Sequence, residues 1–533
     1  MFITLRKKSW RFFLFQNCNK NFCFDSFTHK IYKLDDDLYN LLKNNEFREI
    51  RKVYKLFFLN VLKQNPFKIQ RTQEDKCYVT INLSNNCNLD CKYCYRKKSE
   101  NTVLRKTELK KIFEYIKNVY FKSASEYVFS LCYTSESSLD LDSLKYIDYL
   151  IGQNEGYLFS YEQLSMKSAE LIFSSLPAYI KDKYCSEKNP IIKLNKILEK
   201  EELWKSYDFS NNAYLSKVLT PSKYLSYSRR IMANRQILNA LFPEFYLEKK
   251  ISYISMSFMT NATRITDDYI DFLKSILIDS IYVSLDGLEE NHNKNRIYKS
   301  GKGSYQDVIQ GIKKLQSNGI RVIPSVVITP DNYNLKQILE EFINPGFDSL
   351  SFNLIRGNSK ENAFSYKTMN EFIEIIKNIF SEIYESVKKT GKSKKLLILK
   401  NTILFSYMKS LYYGNYITKR CNWGENLVID SKGDLYNCNS VIGIKKAKLG
   451  NYKSNKSKKN ILRVPYVNRS RKCKRCYAKY LCGGTCYAEQ YIKNSHNSNI
   501  ECYFHKCLIN ENFFLYTKLK NENLLDCFMK ELK

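Results

Sequence analysis

Cys87, Cys91 and Cys94 stand within eight residues of one another, in the pattern C-x3-C-x2-C, just after a short strand-like stretch. A cubane iron–sulfur cluster has four irons and usually takes four thiolates. Three thiolates therefore leave one iron open, and an open iron can bind and activate a small molecule. A zinc knuckle or a group of buried thiols is the alternative, but a zinc site needs four ligands that often include His. None of the four histidines of the chain lies near this loop.

With its aromatic neighbours Tyr93 and Tyr95, this loop resembles the cluster loop of the radical S-adenosylmethionine (SAM) enzymes. In that family the open iron chelates the amino and carboxylate groups of SAM. One electron from the 4Fe–4S cluster then cleaves SAM to a 5′-deoxyadenosyl radical. The resemblance implies that Cys87, Cys91 and Cys94 are the catalytic cluster ligands and that SAM is bound beside them.

The same resemblance implies four further SAM-binding residues. Glu136 stands where the family usually has Gly-Gly-Glu-Pro, and it keeps the carboxylate that accepts a hydrogen bond from the methionine ammonium, although both glycines and the proline are missing. Ser284, in the family's Ser-Leu-Asp-Gly strand end, would hydrogen-bond the ribose or the methionine. Arg296 would pair with the methionine carboxylate, as a planar guanidinium does well. Leu354 would pack on the adenine.

Three neighbours of these residues receive smaller roles. Asp286 could simply cap a turn, and His292 is expected to be structural or solvent-facing rather than a ligand. The run 260–263, Thr-Asn-Ala-Thr, resembles a Thr-Asn-Gly element of the family and is expected to shape the mouth of the site.

Short apolar runs recur along the middle of the chain, and helical patterns follow most of them. Strand–helix alternation indicates a parallel sheet or barrel. Six such units fit an α/β fold, the partial (β/α)6 TIM-like barrel of radical SAM enzymes, in which functional groups lie at the C-terminal ends of the strands. The predicted strands are Tyr78–Leu83, Tyr127–Tyr133, Ile251–Met259, Ser280–Leu285, Arg321–Ile328 and Ser349–Leu354.

The second and third runs are far apart, whereas a crossover needs only a dozen or more residues. Residues 150–250 are therefore predicted to be a helical insertion. The predicted units are a small N-terminal α+β module (1–75), the barrel (76–365), a helical linker (366–415), a C-terminal cluster domain (416–515) and a tail (516–533).

In the N-terminal module, Phe12–Phe15 and Phe22–Tyr32 alternate as strands do, and Leu38–Leu62 has helical spacing. Peptide-modifying radical SAM enzymes often bind the leader of their substrate through a small module that accepts a peptide as an added strand. This module is a candidate for that role, and a plain structural cap is the alternative.

A second group of cysteines lies near the C-terminus. Its spacing matches the SPASM extension of peptide-modifying radical SAM proteins, and a structural zinc domain is the alternative. The runs Leu427–Asp430 and Gly433–Tyr436 predict a β-hairpin that would bring the first two cysteines together. The seven are Cys421, Cys438, Cys473, Cys476, Cys482, Cys486 and Cys502.

The SPASM resemblance implies two auxiliary 4Fe–4S clusters. Some relatives have an eighth cysteine six residues after the first, where this chain has Leu427. The first auxiliary cluster would then keep an open iron, which is hypothesised to bind a substrate cysteine. Cys507 is the alternative to Cys502 as the last ligand. The implied ligands are Cys421, Cys438 and Cys486 for the first cluster, and Cys473, Cys476, Cys482 and Cys502 for the second.

The remaining cysteines lack cluster spacing and are predicted to be buried small apolar residues. These other cysteines are Cys18, Cys23, Cys77, Cys132, Cys185 and Cys527.

The expected location is the cytoplasm. Reduced thiols that act as cluster ligands are typical of the cytosol. Neither a signal peptide nor a membrane-spanning run is visible, so a cytoplasmic protein without a membrane partner is expected.

The chain has 533 residues and a formal charge of +32, from 86 Lys and Arg against 54 Asp and Glu. Such a length suits about two to four domains. A strongly basic balance can indicate a nucleic-acid or acidic partner. The lysines are dispersed along the whole chain, which does not favour a specific nucleic-acid partner, while a basic surface would suit an acidic leader peptide.

The resemblance to peptide-modifying radical SAM proteins implies an enzyme that modifies a ribosomally made precursor peptide, leader and core, with a Cys-containing core and a thioether or other crosslink as product. A low-potential donor such as ferredoxin or flavodoxin would supply the electron. The alternatives are a sulfatase-maturase-like enzyme that makes formylglycine, an RNA-modifying radical SAM enzyme, and a non-catalytic iron–sulfur protein.

Overall fold

The computed structural model of the protein describes most of the chain, and every structural statement below concerns the described part. That part comprises residues 3–4, 11–44, 46–54, 76–94, 102–119, 126–131, 136–153, 166–203, 225–242, 253–276, 278, 280–343, 345–355, 363–417, 419–421, 423–424, 426–454, 467, 471–491 and 497–533.

The N-terminal module is an antiparallel sheet in the order β1-β2-β3-β4, followed by two helices. The predicted strand Phe22–Tyr32 is in fact two strands, because Asp25 accepts hydrogen bonds from the Phe27 amide and the Thr28 hydroxyl and so turns the chain. The part of the predicted helices beyond residue 54 lies outside the described residues. The elements are β1 (Ile3–Thr4), β2 (Phe12–Asn17), β3 (Lys20–Asp25), β4 (Lys30–Leu34), α1 (Asp36–Lys43) and α2 (Phe47–Val53).

Both faces of this small sheet are covered. Phe12 and Leu14 pack with the buried side chains of α1 and α2, whereas Phe13 and Phe15 stack on aromatic rings from the C-terminal part, including Phe513. The alternation of the two sets follows from the two-residue period of a strand. The module is therefore docked on the rest of the described chain through its aromatic face.

Six parallel strands in chain order form the partial barrel, with the sheet order β10-β9-β8-β7-β6-β5. Each lies within two residues of its predicted position, because buried parallel strands are near-continuous apolar runs. They are β5 (Lys76–Ile81), β6 (Glu126–Leu131), β7 (Tyr253–Thr260), β8 (Ser280–Ser284), β9 (Arg321–Ile328) and β10 (Ser351–Leu354).

The C-terminal hairpin continues this barrel sheet instead of forming a separate one. Strand β11 (Asn426–Ile429) pairs in parallel with β5, with Asn426 opposite Tyr78, and β12 (Asp434–Tyr436) and β13 (Gly450–Asn451) follow antiparallel. The predicted hairpin is present, but the local sequence pattern does not reveal its attachment to β5. This attachment places the C-terminal cysteine region beside the first barrel strand.

Helices cover the barrel, form the insertion and connect to the C-terminal region. None of the described helices combines the length and apolar character needed to cross a bilayer. In chain order they are α3 (Lys106–Val119), α4 (Leu141–Gly152), α5 (Met166–Ser174), α6 (Ala178–Tyr184), α7 (Pro190–Lys200), α8 (Tyr227–Leu241), α9 (Asp267–Ser275), α10 (Glu289–Asn295), α11 (Tyr305–Ser317), α12 (Leu335–Ile343), α13 (Tyr366–Thr390), α14 (Lys394–Leu399), α15 (Ile403–Tyr413), α16 (Arg471–Lys474), α17 (Lys479–Cys482), α18 (Asn497–Asn521) and α19 (Leu525–Glu531).

Candidate active site

A cavity of about 680 Å³ opens at the C-terminal ends of the barrel strands. The predicted SAM-site residues all line it, and so do two cysteines of the C-terminal group. The strand period explains part of this lining, since Tyr78 and Thr80 of β5 face the cavity while Val79 and Ile81 belong to the barrel core. The predicted site residues in the wall are Cys87, Cys91, Cys94, Glu136, Ser284, Arg296, Leu354, Cys421 and Cys438.

The loop that carries the first three cysteines is held by main-chain hydrogen bonds. The amide of Asp90 donates to the carbonyl of Ile297 at 2.7 Å, and the amide of Lys92 donates to the carbonyl of Asn295 at 2.9 Å. Burial raises the pKa of the Cys91 thiol to about 11. A metal ligand must be deprotonated, so binding of a cluster here would release that proton.

Asp286 joins this loop to the barrel. Its buried carboxylate accepts hydrogen bonds from the Tyr93 hydroxyl, from Arg296 (Nε at 2.9 Å and Nη2 at 3.3 Å) and from the Val327 amide at 3.0 Å. Burial is the largest influence on the pKa of Arg296 and lowers it, but Asp286, Tyr93 and Cys91 together raise it by more, so the net shift is upward. Sequence reasoning gave Asp286 only a turn-capping role and missed this network. Two nitrogens of Arg296 already bind Asp286, so its pairing with the methionine carboxylate stays a prediction.

His292 supports the same network from behind. It is fully buried, its Nδ1 accepts a hydrogen bond from the Asp286 amide at 3.3 Å, and its Nε2 lies 3.0 Å from the Ser304 hydroxyl. Burial lowers the pKa of His292 to about 4, so the ring is neutral at pH 7. These contacts agree with the structural role predicted for this residue.

Glu136 is buried and fixed by the strand end beside it. Its carboxylate accepts hydrogen bonds from the Thr260 hydroxyl, from the Asn261 amide at 2.7 Å and from Ser138 at 3.0 Å through the hydroxyl. Burial raises the pKa of Glu136. The side chain of Asn261 also donates to Asn88 in the cysteine loop at 2.9 Å. Thr260 and Asn261, predicted only to shape the mouth, therefore tie Glu136 to that loop. Residues 132–135, which replace the family's glycines, lie outside the described residues.

The structure brings several C-terminal cysteines near one another, while their division into two cluster sets stays a prediction. Cys438 and Cys486 pack against one small apolar cluster that contains Trp423. Burial raises the pKa of Cys476 and of Cys482, and neighbouring thiols, Cys502 among them, add to both shifts. The choice between Cys502 and Cys507 as the last ligand also stays a prediction.

Thiolates are the donors that iron–sulfur clusters take. Among the described residues, no three His, Cys, Asp or Glu side chains are grouped as ligands of one metal ion. A cubane spreads its thiolates over different irons, and soft thiolate donors suit iron–sulfur clusters. The donor sets are therefore compatible with 4Fe–4S clusters at the loop and in the C-terminal region.

Leu427 occupies the position of the eighth cysteine, but its side chain does not line the cavity. In β11, Asn426 and Val428 face the cavity, whereas Leu427 and Ile429 are fully buried in the barrel core. The alternation of strand side chains thus directs residue 427 into the hydrophobic core.

The burial predicted for the other six cysteines is wrong at three of them. Cys23 is buried as predicted, but Cys18, Cys185 and Cys527 are exposed. Cys18 lies in the β2–β3 turn with a φ of 50°, and Cys185 ends α6, so both occupy chain reversals at the surface. The side chain of Cys77 and all of Cys132 lie outside the described residues.

Comparisons with known proteins match parts of the chain. Residues 231–343 match the model of the radical SAM superfamily. The chain is 28% identical over 229 residues to an uncharacterized protein of Methanocaldococcus jannaschii, covering 42% of this chain and 68% of that protein. It is 24% identical over 264 residues to the serine-type anaerobic sulfatase-maturating enzyme of Bacteroides thetaiotaomicron, covering 44% of this chain and 61% of that enzyme.

Solved structures match the fold. The native protein anSMEcpe with bound AdoMet aligns with a TM-score of 0.54 and 16% identity, over 83% of this chain and 99% of that one. The same protein with AdoMet and the Cp18Cys peptide aligns with a TM-score of 0.52 and 16% identity, over 84% and 99%. Residues 231–343 thus match a radical SAM domain, and the solved structures share the partial-barrel fold. Proteins of this superfamily use a 4Fe–4S cluster and SAM.

Proposed function

We propose that the protein is a radical SAM maturase that modifies a ribosomally made, Cys-containing precursor peptide by forming a thioether or another crosslink. The observation that supports this proposal is the shared cavity, whose wall includes Cys91 of the loop and also Cys421 and Cys438 of the C-terminal region. A substrate in this cavity would lie between the SAM-binding loop and the first auxiliary set of cysteines.

In this proposal each predicted SAM-site residue of the cavity wall has a role. Cys87, Cys91 and Cys94 hold the 4Fe–4S cluster, which with SAM supplies a 5′-deoxyadenosyl radical for hydrogen abstraction. Glu136 accepts from the methionine ammonium, and Ser284 hydrogen-bonds the ribose or the methionine. The other two residues of the predicted SAM site, Arg296 and Leu354, bind the methionine carboxylate and the adenine. The protein positions and shields this chemistry.

The C-terminal thiols would hold the two auxiliary clusters, with Cys421, Cys438 and Cys486 in the first. Leu427 supplies no fourth thiolate to this set, which supports the hypothesis that the first auxiliary cluster keeps an open iron for a substrate cysteine. Mössbauer spectra of the clusters that do not change when the substrate peptide is added would count against that hypothesis.

The N-terminal module is the proposed leader-binding unit. Within the described part of the sheet, β4 pairs only with β3, so its outer edge can accept an added strand. Lys30 and Lys33 are exposed on this strand, which suits an acidic leader. For the units of the chain we keep the boundaries predicted from the sequence. The proposed electron donor is a reduced ferredoxin or flavodoxin in the cytoplasm.

A sulfatase-maturase-like activity, which makes formylglycine, is the second candidate. The match to the Bacteroides thetaiotaomicron enzyme supports it, while the absence of a thiol at position 427 does not favour it. The two activities differ in product, because a crosslink removes two hydrogens without creating a carbonyl, whereas formylglycine carries an aldehyde.

Anaerobic reconstitution tests the proposal. The iron-loaded protein is incubated with SAM, dithionite and short Cys-rich peptides, chosen from open reading frames next to the gene. Mass spectrometry follows both 5′-deoxyadenosine and the peptides. We expect 5′-deoxyadenosine and a peptide that is lighter by two hydrogens per crosslink. An aldehyde that a hydrazine reagent traps would replace the proposal with the second candidate. No 5′-deoxyadenosine from fully loaded protein would indicate a non-catalytic iron–sulfur protein.

A further inference from the structure

Arg420 lies at the junction of two cavities. A second cavity of about 100 Å³ lies next to the main one and shares part of its wall, namely Asn353, Leu354, Ile355 and Arg420. Arg420 is also the residue directly before Cys421 in the chain. A change in its position would therefore move a predicted cluster ligand and the wall of the substrate cavity together.

The partner of Arg420 is Glu501, at the start of α18. Nη1 of Arg420 lies 3.2 Å from Oε1 of Glu501, and the two side chains are 24% and 16% exposed. The other carboxylate oxygen, Oε2, accepts a hydrogen bond from the Cys486 amide at 3.1 Å. One carboxylate therefore contacts both the residue that precedes Cys421 and the main chain of Cys486.

The surroundings make Arg420 the cation that faces this carboxylate. Nε2 of His505 is 3.7 Å from Oε1 of Glu501, but burial, with a further contribution from Arg420, lowers the pKa of His505 well below its usual range, so the ring is neutral. The Tyr407 hydroxyl lies 2.6 Å from the other ring nitrogen. The neutral ring therefore adds no second positive charge beside this carboxylate.

Arg420 also adjoins the second cysteine set. Its main chain lies against Gly483, the residue directly after Cys482, because a Cβ atom added to Gly483 would be 2.7 Å from the Arg420 nitrogen. Arg420 is therefore next to a ligand from each predicted auxiliary cluster. A cation beside an iron–sulfur cluster stabilises its more negative, reduced form and raises its reduction potential.

We propose that the Arg420–Glu501 ion pair is a positioning pair that holds Cys421 and Cys486 together as ligands of one auxiliary cluster, with Arg420 as a cation shared by both auxiliary sets. The inference rests on the proposed function, because it requires the auxiliary clusters. It adds two residues whose role the cysteine spacing alone does not reveal.

The test compares Arg420→Met, Arg420→Lys, Glu501→Gln and Glu501→Ala in anaerobically purified full-length protein. Arg321→Met is the matched control, because Arg321 pairs with Asp348 at 2.8 Å where β9 begins, at the opposite end of that strand from the cavity. Iron and sulfide per chain, and reduction potentials from EPR-monitored titration, are measured for each protein. Neither readout depends on turnover.

We expect Arg420→Met and Glu501→Ala to lose about four irons per chain, and the potential of the remaining auxiliary cluster to fall in Arg420→Met. Arg420→Lys keeps the charge and should recover the iron and the potential. Glu501→Gln keeps an acceptor for the Cys486 amide and should lose less iron than Glu501→Ala. The loop cluster, followed by the change of its EPR signal on SAM addition, should persist in all of them.

Arg420→Met with wild-type iron and unchanged potentials would overturn the proposal, and so would an equal loss in the Arg321→Met control. Failure of the proposed function is seen separately in the wild-type protein. Fully loaded protein without 5′-deoxyadenosine would reject the enzyme activity and leave the positioning pair intact. Wild-type protein with only about four irons that still forms 5′-deoxyadenosine would reject the positioning pair and leave the radical SAM activity intact.

Discussion

The two cysteine regions of this protein are held in different ways. Cys87 to Cys94 lie on one loop that follows β5, and buried main-chain and side-chain hydrogen bonds fix that loop to the barrel. The C-terminal thiols come from separate segments between residues 421 and 502, and contacts that are distant in sequence, such as the half-buried Arg420–Glu501 pair, bring them together. The first region is thus organised by the barrel core, and the second by tertiary contacts nearer the surface.

This difference has an energetic consequence. A short loop loses little conformational entropy when its ligands converge, whereas distant segments lose more, and the cost grows slowly with the length of the intervening chain. Polar contacts near the surface contribute less than buried ones because water and salt screen them. We therefore expect weaker perturbations to release iron from the C-terminal region than from the loop.

The largest effect is expected from removing one loop thiolate. Cys91→Ala should abolish 5′-deoxyadenosine formation, because two thiolates do not hold the loop cluster, while about eight irons per chain remain in the C-terminal region. Iron analysis and liquid chromatography of the SAM products measure both quantities. Cys185→Ala, at an exposed thiol, is the control and should be unchanged. Product formation by Cys91→Ala would contradict the assignment of the loop.

Breaking the buried pair behind the loop should cost the most stability. In Arg296→Met the Asp286 carboxylate stays buried without its cation, and the side chains of the pair are only 9% and 1% exposed. Loss of one partner of such a pair costs about 3–5 kcal/mol. Denaturant unfolding of the full-length protein measures this loss.

The double variant Arg296→Met with Asp286→Asn provides the control, because it removes the orphaned charge and should recover part of the stability. The exposed Arg321→Met variant should lose only about 0–1 kcal/mol. Equal losses in Arg296→Met and Arg321→Met would mean that the barrel core does not organise the loop more firmly than the surface does.

The sequence predicts the local parts of both regions well. Apolar runs locate the six barrel strands, and cysteine spacing locates the loop and the C-terminal group. The attachment of β11 to β5 is not visible in the sequence, because register between strands that are distant in the chain is a tertiary property. For the same reason the contact of Asp286 with Tyr93 is not visible in the sequence, and neither is that of Glu501 with Arg420. The two residues of each pair do not lie in the same helix or strand, so no regular spacing relates them.

A close contact between α11 and the 260–263 segment gives a further test, which concerns the barrel region. A Cβ atom on Gly311 of α11 would lie 1.9 Å from the carbonyl oxygen of Ala262, which directly follows the Asn261 that holds Glu136. Gly311→Ala would normally favour a helix by about 1 kcal/mol, but overpacking of this kind costs about 1–3 kcal/mol.

We therefore expect Gly311→Ala to be net destabilising and to weaken SAM binding, measured by calorimetry on the iron-loaded protein. Gln310→Ala in the same helix should do neither. A more stable Gly311→Ala variant with unchanged SAM affinity would show that the 260–263 segment can move without disturbing the site.

An effect on the C-terminal side depends on pH. Burial raises the pKa of Glu511 in α18 to about 7, Lys377 of α13 opposes the rise from 3.9 Å, and Glu374 adds to it. The folded carboxyl thus binds its proton more tightly than the unfolded one, whose pKa is near 4.5. The stabilisation is complete below pH 4.5 and is lost as the pH rises to about 7.

Glu511→Gln resembles the protonated form at every pH, so its stability relative to wild type should grow through this window and level off above pH 7 at about 1–3 kcal/mol. Glu385→Gln is the matched control, because Glu385 also pairs across α13 and α18 at 3.9 Å but is 64% exposed. Thermal unfolding of the three proteins from pH 5 to pH 8 measures the difference. Since α18 carries Glu501 and Cys502, the same rise in pH should release iron from the C-terminal region before it releases iron from the loop. Iron loss that starts at the loop would contradict the expectation that the C-terminal region is the less firmly held of the two.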